Sequence, residues 1–320
     1  MKISFNKYFA FGGLDKLNSK SILLRKIQIE DKVKIHTCND YSNSIEVIKE
    51  ASSKKSSISI ILKVYFNYPD KKNRRFRPII SQIEEAVSRL TFLPNELILQ
   101  MCCYFPLDIL KKEYFSNFLS KIHKDFGVKK IYFEYYPVYK YDFRLIKEFN
   151  DSSGSMISFG VTGYFNFWNR VINVNQFNNL RSSNIPFIPI GILGKNIKRD
   201  KMINKLSLSK GETSEIDYID QSLIFFIKQT TMTSDSIFGI TETSKESNYL
   251  DLKNRIKKLE LNKENIFQKI KDDNIQFNYL KKDHYGGKFF LSEYLLNPKQ
   301  MASNLKKSII YGKSKSYFLK

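Results

Sequence analysis

Two side chains that can transfer protons stand at the ends of neighbouring apolar segments. Lys63 comes late in the run Ser-Ile-Ile-Leu-Lys-Val-Tyr-Phe (59–66), and Tyr41 follows the segment Ile-His-Thr-Cys-Asn-Asp (35–40). A buried parallel strand that ends in a polar side chain delivers it to the mouth of an α/β barrel, where barrel enzymes keep their chemistry. An amine and a phenol can both act as acids or bases there. The spacing therefore predicts one site containing Tyr41 and Lys63.

The elements that must position these residues are short apolar runs bounded by turn residues. Such runs are typical of parallel strands buried on both faces. Eight are predicted as strands: Tyr8–Gly13, Val33–Cys38, Ile58–Phe66, Glu96–Phe105, Lys130–Val138, Met156–Tyr164, Ile185–Leu193 and Ser236–Thr241.

Helical patterns occupy the intervals between these strands. Ile79, Ile83, Val87 and Leu90 form one helical stripe, and similar spacing recurs in 107–125, 216–228 and 250–261. Strands that alternate with helices over this length predict a (β/α)₈ TIM barrel. A doubly wound open sheet is the alternative, but it would need a longer glycine-rich turn than Phe-Gly-Gly-Leu (11–14).

Composition fits one large globular unit followed by a basic extension. The chain has 320 residues, of which 42% are hydrophobic, and its formal net charge is +21. We assign residues 1–261 to the barrel and 262–320 to a C-terminal extension, packed on the barrel or partly mobile. Basic residues are spread widely, so solvated lysine faces explain the charge better than nucleic-acid binding. The extension is a possible site for a protein partner.

Cysteine usage and hydropathy predict a cytoplasmic protein. The three cysteines, Cys38, Cys102 and Cys103, do not form a secreted disulfide framework. The first residues have no long apolar stretch, so no signal peptide is expected. The sequence also lacks an apolar run long enough to span a membrane.

The order of these motifs resembles the aldo-keto reductase family. The family places a tyrosine motif after its second strand, as in residues 35–41, and a lysine at the end of its third, as in Leu-Lys-Val (62–64). Gln82–Leu90 and Glu96–Pro106 resemble the family's next helix and strand, and residues 185–194 and 222–241 resemble its last elements. The resemblance spans roughly residues 8–260 and implies a barrel that reduces carbonyl groups.

The family's catalytic tetrad consists of a tyrosine, a lysine, an aspartate paired with that lysine, and a histidine. The resemblance places Tyr41 and Lys63 at the first two positions. His36 stands where the aspartate is expected, and Tyr104, or alternatively Cys103, where the histidine is expected. Without a carboxylate, Lys63 is expected to favour the neutral amine, which suits a general base or nucleophile but also an inactive site.

The resemblance also implies NADP(H) or NAD(H) as cofactor and a small carbonyl compound as substrate. Gly191, Gly194, Gly239 and Thr241 match the family's late turns, where backbone N–H groups can bind phosphate. Lys245 is the candidate for a 2′-phosphate contact.

Other chemistries have weaker support. The histidines His36, His123 and His284 have no metal-ligand spacing, so no metal is expected. The main alternative to a reductase is a catalytically inactive barrel that serves as a binding or scaffold module.

Overall fold

The computed structural model describes residues 9–12, 33–41, 44–52, 58–66, 77–91, 93–94, 96–101, 110–134, 143–152, 156–164, 179–180, 182–190, 239–242, 254–255 and 258. The extension at 262–320 and the predicted helix at 216–228 lie outside these residues.

Eight parallel strands form a closed ring in chain order. Each strand pairs with the next, and the ring closes where β8 pairs with β1, with Gly239 opposite Phe9. This closure confirms the presence and order of the eight predicted strands and excludes the open, doubly wound sheet, while the predicted strand residues 102–105, 135–138, 191–193 and 236–238 lie outside the described residues. The strands are β1 (Phe9–Gly12), β2 (Val33–Cys38), β3 (Ile58–Phe66), β4 (Glu96–Met101), β5 (Lys130–Glu134), β6 (Ser158–Tyr164), β7 (Phe187–Ile190) and β8 (Gly239–Glu242).

Four helices are described, one after each strand from β2 to β5. They are α1 (Ser44–Ser52), α2 (Ile79–Leu90), α3 (Glu113–Phe126) and α4 (Phe143–Ser152). Ile79, Ile83 and Leu90 of the predicted stripe are fully buried on α2. The third helix begins at Glu113, later than the predicted Leu107, and α4 was not predicted.

The helix ends follow local backbone chemistry. α3 ends at Phe126 and is capped by Gly127, whose φ of 66° is left-handed and whose N–H donates to the carbonyl of His123 at 2.9 Å. Glycine adopts this conformation without the steric cost that a Cβ adds. The chain changes direction at Gly127, and β5 begins three residues later at Lys130.

An aromatic cluster shows which face of β5 and β6 points outward. Phe133 of β5 stacks on Phe159 of β6 with centroids 5.3 Å apart, and Phe159 also contacts Phe115 of α3 and Phe149 of α4. Because successive strand side chains point to opposite faces, Tyr132 and Glu134 point into the barrel. Both are buried, with 1% and 3% of their surfaces exposed.

Gly160 leaves room for the inward ring of Tyr132. The two residues are opposite one another in the β5–β6 register. A Cβ at position 160 would lie 2.7 Å from the Tyr132 ring and 2.5 Å from the carbonyl oxygen of Pro186. Glycine is therefore required where the interior ring and the neighbouring backbone approach most closely.

None of the described helices is long and apolar enough to cross a membrane.

Candidate active site

Lys63 lies on the inner face of β3 and forms an ion pair with Glu134 of β5. Its Nζ is 3.3 Å from Glu134 Oε2, and the two side chains are only 11% and 4% exposed. The expectation that Lys63 lacks a carboxylate partner is therefore wrong. The aspartate position on β2 does hold His36, but a carboxylate from β5 takes up the pairing. The premise of the predicted neutral amine, a lysine without a counter-charge, therefore does not hold.

The end of β3 is fixed by a buried side chain of α2. Gln82 Oε1 accepts a hydrogen bond from the Tyr65 N–H at 2.8 Å, and Gln82 Nε2 donates to the Tyr65 carbonyl at 2.8 Å. These bonds satisfy backbone groups two residues beyond Lys63. They fix the backbone of β3 close to Lys63, in the position from which the lysine side chain contacts Glu134.

His36 is buried beside Lys63 on the neighbouring strand. It is 4% exposed, and its Nε2 has no hydrogen-bond partner among the described residues. Burial, helped by the positive charge of Lys63, lowers the pKa of His36 to about 3. The imidazole is therefore neutral at physiological pH.

Tyr41 stands in the turn that joins β2 to α1. Its N–H bonds the carbonyl of Cys38 at 3.1 Å, and its own carbonyl accepts from the Ser44 N–H at 2.8 Å. The ring lies edge-on to His36 with centroids 5.8 Å apart. Tyr41 is half-buried, so its side chain contacts the interior of the barrel and is also accessible to a ligand from solvent.

Cys38 and Tyr65 form a second polar contact in the interior. The thiol donates to Tyr65 Oη at 3.6 Å. Burial raises the pKa of Cys38 and raises the pKa of Tyr65 well above its ordinary value. Both groups therefore stay protonated at neutral pH, and neither is a candidate base.

The structure brings together Tyr41, His36 and Lys63 and adds Glu134. It places Gly239 and Thr241 in β8, beside β1, where Thr241 lies opposite Phe11. Tyr104 and its alternative Cys103, together with Gly191, Gly194 and Lys245, lie outside the described residues. Within the described part of the chain, no cluster of His, Cys, Asp and Glu could hold a metal ion.

Glu134 is a member of this site that was not predicted from the sequence. Its signal was a glutamate at the end of the apolar run Lys-Ile-Tyr-Phe-Glu (130–134), the same design that singled out Lys63. Two opposite charges near the C-terminal ends of different buried strands are candidates for an ion pair, because each needs compensation inside a barrel.

His36 predicts a specific acid sensitivity of folding. Its pKa is about 3 in the folded chain and near 6.5 when unfolded. At pH values between these two, only the unfolded chain takes up the proton, so stability falls as pH falls from about 6.5 towards 3. The contribution of this group to the free energy of unfolding approaches about 1.4 kcal/mol per pH unit.

Urea unfolding of the wild type and His36→Gln between pH 7.5 and 4.5 measures this contribution. We expect the free energy of unfolding to fall less steeply in the variant below about pH 6. His123, which is less buried and contacts the Val128 carbonyl, provides the matched control as His123→Gln. Parallel pH curves for wild type and His36→Gln would contradict the buried, neutral imidazole.

Comparison with solved structures identifies the fold. An aldo-keto reductase from Klebsiella pneumoniae in complex with NADPH aligns with 78% of this chain and 84% of its own, at 12% identity and a TM-score of 0.55. A glycerol dehydrogenase from Gluconobacter oxydans aligns with 93% of this chain and 95% of its own, at 13% identity and a TM-score of 0.51.

The sequence itself gives no such match: no family model and no curated protein matches the chain. The resemblance first seen in the order of the motifs is thus confirmed in three dimensions. The chain has the barrel fold of the aldo-keto reductases.

Proposed function

We propose that this protein is an NAD(P)H-dependent oxidoreductase that reduces the carbonyl group of a small molecule. The observation that best supports this proposal is the buried Lys63–Glu134 ion pair beside His36. Tyr41 contacts the imidazole at the end of β2. A charged amine, a neutral imidazole and a phenol at one barrel mouth are suited to stabilising and protonating a developing alkoxide.

The available donors fit a carbonyl compound and a nicotinamide. The Nε2 of buried His36, which has no hydrogen-bond partner among the described residues, can donate to a carbonyl or carboxamide oxygen in the tautomer that carries its proton there. When bound, NAD(P)H supplies a hydride. The predicted further members of the site are Gly239 and Thr241 on β8, together with Gly191, Gly194, Tyr104 and Lys245.

Tyr41 is the proposed proton donor. As the carbonyl carbon gains hydride, the phenol gives its proton to the carbonyl oxygen, and the products are the alcohol, the oxidised cofactor and a phenolate. The positive charge of Lys63 stabilises that phenolate until a proton from solvent restores it. His36 orients the oxygen by a hydrogen bond without competing for the proton, because it stays neutral.

The alternative, an inactive barrel used as a binding or scaffold module, has less support. The main observation behind that alternative was the missing carboxylate partner of Lys63, and Glu134 supplies such a carboxylate. Three further points stay predictions: a cytoplasmic location, a barrel that ends at residue 261, and a protein partner for the extension.

Turnover with a panel of aldehydes and ketones tests the proposal. We expect NADPH or NADH to be oxidised in the presence of at least one carbonyl compound, with the alcohol formed in equal amount. The Tyr41→Phe variant is the control for contaminating reductases. Identical rates for the wild type and this variant, or no turnover with any compound, would contradict the proposed function.

A further inference from the structure

We infer that Glu134 is the positioning residue that keeps Lys63 charged and fixes its amine inside the barrel mouth. This inference rests on the proposed function for its catalytic consequence and on the ion pair for its physical basis. The carboxylate comes from β5, two strands away from the lysine on β3.

Burial makes the two charges interdependent. The Lys63 and Glu134 side chains are 11% and 4% exposed, and an isolated ion at such depth is costly. Among the ion pairs of the described residues, the pair with Glu134 is the one that contains Lys63. The carboxylate therefore provides the compensation that allows a charged amine inside the barrel.

The barrel geometry explains why β5 can supply this carboxylate. Interior side chains of an eight-stranded barrel form layers, and each layer is built by alternate strands. In the register, Lys63 lies opposite Ile98 of β4, and Ile98 lies opposite Tyr132 of β5. Glu134 is the next inward residue after Tyr132, so β3 and β5 bring Lys63 and Glu134 to one layer.

His36 cannot take the same role. It is on β2, it carries no negative charge in any protonation state, and the charge of Lys63 contributes to lowering its pKa. The interaction between Lys63 and a protonated His36 is repulsive, so a neutral imidazole and a charged amine are the compatible pair. Lysine, imidazole and carboxylate thus come from three different strands, with the carboxylate farthest from Tyr41 along the chain.

Kinetics of Glu134→Gln test this role, with Glu134→Asp and Glu85→Gln as comparisons. We expect Glu134→Gln to lower kcat about 10- to 100-fold with little change in cofactor affinity, and its pH–rate profile to shift. Glu134→Asp keeps the charge and retains more activity. Glu85, which pairs with Arg77 and Arg89 outside the site, provides the control for loss of a carboxylate.

A charge relocation separates positioning from a general loss of stability. The double variant His36→Asp/Glu134→Gln returns a carboxylate to β2, beside Lys63. We expect it to recover part of the activity that Glu134→Gln loses. A merely structural role for Glu134 gives no recovery, no shift in the pH–rate profile and equal losses in the Asp and Gln variants, which would overturn the inference.

Chemical labelling decides the question without any reductase activity. Reductive methylation near pH 8, followed by peptide mass spectrometry, reports the neutral fraction and accessibility of each lysine amine. We expect Lys63 labelling to increase severalfold in Glu134→Gln but not in Glu134→Asp or Glu85→Gln. If Lys63 labelling increases in Glu134→Gln but the wild type reduces no carbonyl compound, the ion pair is supported and the proposed reductase function is contradicted. Unchanged labelling would overturn the pairing itself.

Discussion

Replacing Tyr41 with phenylalanine lowers kcat by about 100-fold or more, while the affinity for NADPH stays within about twofold. The substitution removes one hydroxyl and keeps the ring that contacts His36 edge-on. The expected loss follows because the phenol is the proposed proton source, and a phenyl ring cannot protonate the alkoxide. Steady-state kinetics with the best carbonyl substrate, together with a cofactor titration, measure both quantities.

Tyr65→Phe is the matched control for this experiment. Tyr65 lies in the same interior, is 2% exposed and has a pKa raised well above its ordinary value by burial. It is a poor proton donor, so its removal should leave kcat within a few-fold of the wild type. Equal losses in the two variants would show that packing, rather than the Tyr41 proton, determines the rate.

Lys63→Met destabilises the protein by about 3–5 kcal/mol. The long apolar side chain of methionine replaces most of the volume of lysine, but it leaves the buried Glu134 carboxylate without its counter-charge. The destabilisation thus arises from an uncompensated charge rather than from a cavity. Urea unfolding at pH 7.5 measures it, and the slope of the transition checks that the folded state stays compact.

The double variant Lys63→Met/Glu134→Gln isolates the interaction between the two charges. Because it removes both charges, we expect it to be more stable than Lys63→Met alone. Lys111 and Glu148, whose side chains are 68% and 64% exposed, form a surface pair for comparison. Removing either charge of this surface pair should lower the free energy of unfolding by less than about 1 kcal/mol. Additive losses at Lys63 and Glu134 would contradict the ion pair.

Much of the barrel can be predicted because its strands are buried on both faces. Val33–Cys38 and Ile58–Phe66 agree residue for residue with the predicted strands. A nearly continuous run of β-branched and aromatic residues has few alternatives between two turns. The stripe on α2 is equally clear, since a 3.6-residue period places its apolar residues on one face.

The partners within the site were harder to predict because they depend on strand register. Lys63 and Glu134 are 71 positions apart in the chain, and their contact depends on the pairing of β3, β4 and β5. A family motif directs attention to the position where the carboxylate usually stands. The chain holds His36 there, and the physical requirement for a counter-charge is met from another strand.

α4 was missed although Phe143, Ile146 and Phe149 recur at three-residue spacing, which is typical of one helical face. Its sequence, Phe-Arg-Leu-Ile-Lys-Glu-Phe-Asn-Asp-Ser, buries Ile146 fully but leaves most of its other positions partly exposed. The helix is held partly by Asn150, whose side chain hydrogen-bonds the backbone N–H and carbonyl of Phe159 on β6. The Asn150 contact depends on tertiary structure, whereas the apolar spacing of the helix is present in the sequence itself.

Calorimetric titration of the purified protein with NADPH, and in parallel with NADH, tests the central claim most directly. We expect saturable binding of at least one of the two with a stoichiometry near one, retained in Tyr41→Phe. Binding that persists in a variant without turnover would separate cofactor recognition from proton transfer. Absence of binding heat for both nucleotides up to millimolar concentration, confirmed by unchanged protein fluorescence, would contradict the reductase account.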